Sequence, residues 1–239
     1  MLYSDRSGIG LARHPKTASS ALTAWFLEAF PDAKASDPRD PHVSVPMSLR
    51  RFGLVSAPKS PPKWHTVLPK ALRPRPALPG LVRSITVIGV VREPFEMLVS
   101  LYSYWRRRAT EKHRRPGALS YTAAHGSFRD FVVHAVIERK LPNYHDFFGL
   151  GLPEQPPLKL IDFRSIRSGL EAVCRDHGIT VSTTVPAANV APSSHDYDRF
   201  RDEVRFMLPA IRARYRWYYE EASHLLAKSS GSLTLRPAA

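Results

Sequence analysis

Ile85 to Val91 reads Ile-Thr-Val-Ile-Gly-Val-Val, a β-branched run with almost no polar interruption. Such a strand has no face to give to water, so it implies a sheet covered by helices on both sides. Arg92 follows directly, and Pro94 suits the first turn of a helix that carries Ser100. The same order occurs earlier. Ile9 to Ala12 is apolar, His14 to Ser20 is a polar turn, and Leu22, Trp25, Phe26 and Phe30 recur at helical spacing over residues 17–30 until Pro31. Leu158 to Phe163 and a helix over 165–177, ending before Gly178, repeat it once more. These units predict an α/β fold: one domain over residues 1–227, a parallel sheet flanked by helices, and a flexible tail over 228–239.

The turn before the first helix holds the charge-bearing chemistry. A helix start leaves N–H groups unpaired and its dipole favours an anion. Lys16 adds a charge there, and Thr17, Ser19 and Ser20 add hydroxyl donors. An ordinary N-cap at Ser19 or Ser20 beside a solvated lysine would account for the same residues. The segment lacks the G-x-x-x-x-G-K-[ST] pattern, which disfavours a conventional ATPase, GTPase or kinase.

Two segments carry a family resemblance. His-Pro-Lys-Thr-Ala-Ser-Ser (residues 14–20) resembles the 5′-phosphosulfate loop of sulfotransferases. Val-Val-Arg-Glu-Pro-Phe-Glu-Met-Leu-Val-Ser-Leu-Tyr (residues 90–102) resembles their 3′-phosphate segment. The chain resembles carbohydrate sulfotransferases of the heparan-sulfate 2-O-sulfotransferase type and their bacterial cousins. The resemblance implies a P-loop-like domain and, as co-substrate, 3′-phosphoadenosine 5′-phosphosulfate, with adenosine 3′,5′-bisphosphate as product. It implies that Lys16, Thr17, Ala18, Ser19 and Ser20 face the 5′-phosphosulfate and that Arg92 and Ser100 hold the 3′-phosphate. Relatives place a histidine base between the two motifs, where His42 stands, with His65 and Asp40 as further candidates. Asn189 matches a late loop of the family and is equally a turn residue, and residues 143–148 resemble its acceptor-side segment. Ala18 and Ser19 replace the usual loop glycine, and Phe163 and Arg164 stand where relatives have an acidic residue. The implied reaction is sulfuryl transfer to a hydroxyl of an anionic or neutral glycan or glycolipid, without a metal.

The formal charge is +14, from 35 Lys and Arg against 21 Asp and Glu, which implies an anionic partner or a solvated basic surface. The arginine clusters keep a nucleic-acid-binding protein as the alternative, as well as a nucleotide-binding protein of the same fold without activity. The first reading expects no nucleic acid and allows a peripheral membrane contact. One cysteine, Cys174, excludes an intramolecular disulfide and a cysteine metal cluster, and fits a core position. With no apolar run of roughly 18 residues and no leader pattern, a bacterial, cytoplasmic enzyme is expected.

Elsewhere, residues 1–8 read as a polar lead-in, and 55–80 as a proline-rich loop that is either a lid or an insertion. Residues 109–127 read as irregular, and Ser127 to Lys140 as a capped helix. Residues 196–208 and 210–227 read as helices broken at Pro209, with Tyr215, Trp217, Tyr218 and Tyr219 packing together.

Overall fold

The computed structural model describes residues 1–55, 85–108, 116–152, 155–179, 196–228 and 232–235. Its strands are β1 (Leu2–Ser4), β2 (Ile9–Ala12), β3 (Lys34–Ala35), β4 (Thr86–Val91), β5 (Leu158–Asp162) and β6 (Ser232–Leu235). They form one six-stranded sheet in the order β3-β1-β2-β4-β5-β6. The expected parallel sheet is corrected to a mixed one. Only β2, β4 and β5 run parallel, while β1 is antiparallel to β2 and β3, and β6 to β5. β6 also replaces the expected tail over Ser232–Leu235. β1 lies within the expected lead-in, joined to β2 by a tight turn in which Gly8 takes φ 67°. The Ser4 hydroxyl binds the Asp32 carboxylate at 2.8 Å, fixing that corner.

The helices are α1 (Ser19–Ala29), α2 (Val45–Arg51), α3 (Pro94–Arg107), α4 (Leu119–His125), α5 (Phe128–Val132), α6 (Tyr144–Phe148), α7 (Ile166–His177), α8 (Tyr197–Glu203), α9 (Leu208–Arg214) and α10 (Ser223–Lys228). α4 corrects the irregular reading of 109–127 where that stretch is described. α5 begins at the predicted cap: Ser127 and Asp130 exchange side-chain and backbone hydrogen bonds, and a π-turn over Val133–Ile137 continues it. Pro209 does not break a helix; it sits in the first turn of α9, and the break falls before it, around Val204–Met207.

Strand alternation divides the core. Ile88, Val90 and Ile161 pack with Leu22, Trp25 and Phe26 of α1 and with Leu170, Val173 and Cys174 of α7. Val87, Val91, Leu158 and Leu160 face the larger layer, built from α2 to α6 with α9 and α10, in which Tyr215 and Tyr218 are buried as expected. Glycines allow close approach on each side. A Cβ at Gly89 would lie 2.4 Å from Phe148 of α6, and one at Gly169 of α7 2.3 Å from Ile161. No helix among the described residues is long and apolar enough to cross a membrane.

Candidate anion-binding site

Because β2, β4 and β5 are adjacent and parallel, the segments that follow them leave the sheet at one edge. In open α/β sheets that carboxyl edge is where ligands bind. After β2 comes the loop with Lys16, after β4 comes Arg92, and after β5 the Asp162 side chain caps a short turn that carries Phe163. Asp162 thus places an acidic acceptor here, one residue ahead of Phe163, taking the Arg164 N–H at 2.7 Å.

The first loop is tightly wound. Lys16 and Ala18 both take left-handed φ values, 60° and 58°, which cost a non-glycine residue about 1–2 kcal/mol each. Ala18 is the N-cap of α1, so no side chain caps this helix and no acidic residue lies in its first turn. That corrects the reading of Ser19 or Ser20 as N-cap. It leaves the positive end of α1 without a side-chain acceptor. Thr17 differs from expectation. It is buried and its hydroxyl donates to the His14 carbonyl at 2.8 Å, so it closes the loop instead of facing outward.

Lys16 Nζ lies 4.4 Å from the centre of the Tyr104 ring, and the Arg108 guanidinium approaches the same ring at 4.8 Å. Burial lowers the lysine's pKa from its ordinary value, and Arg107, Arg92 and Arg108 lower it further. Among the described residues, no carboxylate raises the lysine's pKa in return. Tyr104, Arg107 and Arg108 follow Ser100 at helical spacing along α3, so one face of that helix meets the loop.

Arg92 is held more firmly than expected. Its guanidinium stands 4.3 Å over Phe163, Nη2 donates to the Tyr197 hydroxyl at 3.2 Å, and Nε lies 3.7 Å from Glu96 without a hydrogen bond of its own. Glu96 also pairs with Arg164. Ser100 is buried on α3.

His42 precedes α2 and joins the same edge. Its Nδ1 lies 2.7 Å from the Arg13 carbonyl. A carbonyl only accepts, so Nδ1 carries the proton and Nε2 presents a lone pair. Burial lowers the His42 pKa, against the opposing effects of the Arg13 carbonyl and Asp40. Asp40 accepts from the His42 backbone N–H at 2.9 Å and so supports the loop. His65 and Asn189 lie outside the described residues, as do residues 56–84 of the proline-rich stretch.

Beside this edge runs a groove of about 710 Å³ between α3, the α4–α5 turn and α8. Among the described residues, Arg106, Arg107, Arg199 and His125 line it against one acid, Glu203. Arg107 belongs to both the groove and the surroundings of Lys16. The sequence singled out neither Tyr104 nor these arginines for the site. Their spacing from Ser100 was the available signal. Among the described residues no group of His, Cys, Asp and Glu is arranged to hold a metal ion.

No family model matches the chain, and no curated protein or solved structure matches it significantly.

Proposed function

We propose that the chain is a sulfotransferase that moves the sulfuryl group of 3′-phosphoadenosine 5′-phosphosulfate to a hydroxyl of a carbohydrate or glycolipid. The observation that carries this reading is the placing of Lys16 and Arg92 after adjacent parallel strands, with Arg107 and Arg108 adding positive charge around Lys16. Cations brought together at a sheet edge repel one another until an anion joins them. A donor with phosphate at both ends of its ribose suits cations carried on two separate strands.

Lys16 and the uncapped start of α1, with the backbone of Ala18, Ser19 and Ser20, would hold the 5′-phosphosulfate. Arg92 and Ser100 would hold the 3′-phosphate once the guanidinium exchanges Tyr197 and Glu96 for phosphate oxygens. The bound donor supplies the sulfuryl group, and its product is adenosine 3′,5′-bisphosphate. The chain's own contribution is positioning and charge. Lys16 sets positive charge where the leaving oxygen gains negative charge. His42 Nε2 takes the proton of the attacking hydroxyl, while the Arg13 carbonyl keeps the ring in the tautomer that can accept it. The groove that shares Arg107 would receive the acceptor, and its arginines favour one that bears acidic groups.

Calorimetric titration with adenosine 3′,5′-bisphosphate, AMP and ATP tests this reading. Selective binding of the bisphosphate, lost in Lys16→Ala and Arg92→Ala, is expected. Equal binding of all three, or none, would overturn the donor site and favour a nucleic-acid ligand for the basic surface, with the steep salt dependence of phosphate contacts.

A further inference from the structure

β4 ends at Val91, where its pairing with Asp162 of β5 is the last of the ladder. The next peptide groups therefore need other partners, since an unpaired buried backbone group is costly. They find them in one side chain from α6. The Tyr144 hydroxyl accepts from the Arg92 N–H at 3.0 Å and donates to the Arg92 carbonyl at 2.7 Å. The main chain of Arg92 is thus gripped from both sides by a single oxygen.

The other end of the same residue reaches the other motif. The Tyr144 ring packs on the His14 ring with centroids 4.7 Å apart, and His14 opens the loop that carries Lys16. Phe147, one turn along α6, meets the His14 ring edge-on at 4.7 Å. α6 is in turn fixed. Asn143 caps it through the Asp146 N–H at 2.7 Å and donates to the Arg214 carbonyl at 3.1 Å. Tyr144 is fully buried and its surroundings are aromatic, with Tyr215 and Tyr218 at 5.7 and 5.9 Å.

We infer that Tyr144 is a positioning residue that sets the spacing between the Lys16 loop and Arg92, so that one ligand can engage both. It acts through the backbone of Arg92 and the ring of His14, and touches no ligand itself. The inference rests on the donor-site reading above. A ligand with two phosphates must span both segments and depends on their spacing. A ligand with only the 5′-phosphate depends on one segment and does not. This separates positioning from a general effect on stability, which would weaken both ligands alike.

The test is calorimetric titration of the full chain with adenosine 3′,5′-bisphosphate and with AMP, alongside thermal unfolding. Three chains are compared: the wild type, Tyr144→Phe and Tyr215→Phe. Tyr144→Phe keeps the ring on His14 and removes both hydrogen bonds to Arg92. Tyr215→Phe removes a buried hydroxyl that has no hydrogen-bond partner, from a ring packed on Tyr144. We expect Tyr144→Phe to cut the preference for the bisphosphate over AMP about tenfold, the scale of one or two hydrogen bonds, with AMP binding unchanged. Tyr215→Phe should keep the full preference. If the phenylalanine chain does not fold, a ring-fluorinated tyrosine at 144, a weaker acceptor of nearly the same shape, should give a smaller drop in the same ratio. An intact preference in the position-144 variant, whatever its melting temperature, overturns the inference. A wild type without preference overturns the donor site itself, and the inference with it.

Discussion

The proposed role of His42 as base depends on its tautomer, and the tautomer has a pH consequence. Only the neutral ring can take a proton at Nε2, so activity must fall on the acid side as the ring protonates. Burial moves that protonation below the ordinary value of 6.5. The acid limb of kcat/KM should therefore have its midpoint below 6.5. In Asp40→Asn it should move further to acid, because Asp40 favours the protonated ring. His42→Asn should lose the limb and roughly 10²–10⁴-fold in rate, the usual contribution of a positioned base. A limb that survives in His42→Asn would assign the proton transfer to another group. At this scale the lysine loop and Arg92 stood out by type and spacing, and His42 only through the family resemblance. Thr17 did not, because a hydroxyl that closes its own loop and one that faces a ligand look the same in sequence. The cation–π contact of Lys16 with Tyr104 was hidden for a related reason, since it joins residues on separate elements.

At the scale of elements, the parallel centre of the sheet was legible because β2, β4 and β5 are apolar and each opens a helix. The pieces that were missed are short. β1 has three residues and β6 four, too few for a period, and both are strands because an edge of the sheet is there to pair with them. α4 begins at Ala118 without a side-chain cap, so its sequence carries no start signal. The packing of α6 on β4 was equally invisible, since Gly89 reads only as a gap in a β-branched run. In the fold that gap receives Phe148, which is fully buried and has little room to retreat. Gly89→Ala should overpack this contact and destabilise the chain by about 1–3 kcal/mol in denaturant unfolding. The shift would reach α6, and with it Tyr144. Unchanged stability would mean that α6 can move away from the sheet without loss.

For the molecule as a whole, the charge of +14 and one buried histidine both set the limit towards acid, and they can be told apart. His14 is fully buried against Tyr144 and Phe147, and its Nδ1 donates to the Pro15 carbonyl. Burial pushes its pKa down from 6.5 to about 3, with the Pro15 and Pro142 carbonyls resisting and His42 adding slightly. The unfolded chain therefore takes up a proton near pH 6.5 that the folded chain refuses until about pH 3. Stability is complete above the unfolded value and falls as pH drops through that window, at about 1.4 kcal/mol per pH unit for one proton. The carboxylates whose pKa values lie below the ordinary 3.8, among them Asp32, Asp130 and Asp176, act only beneath most of that window. Repulsion among surface cations also grows as other histidines charge, but salt screens it, to a Debye length of roughly 3 Å at 1 M. Burial of His14 is not screened in that way. Unfolding measured from pH 7 to pH 4 in high salt should keep the slope in the wild type. It should be shallower in His14→Gln, which can still donate to Pro15 but cannot take the charge, with His42, His177 and the Met1 amine supplying a remainder because their pKa values are also depressed. A slope that disappears with salt would assign the acid limit to surface charge, and one that His14→Gln leaves intact would remove the buried histidine from the account.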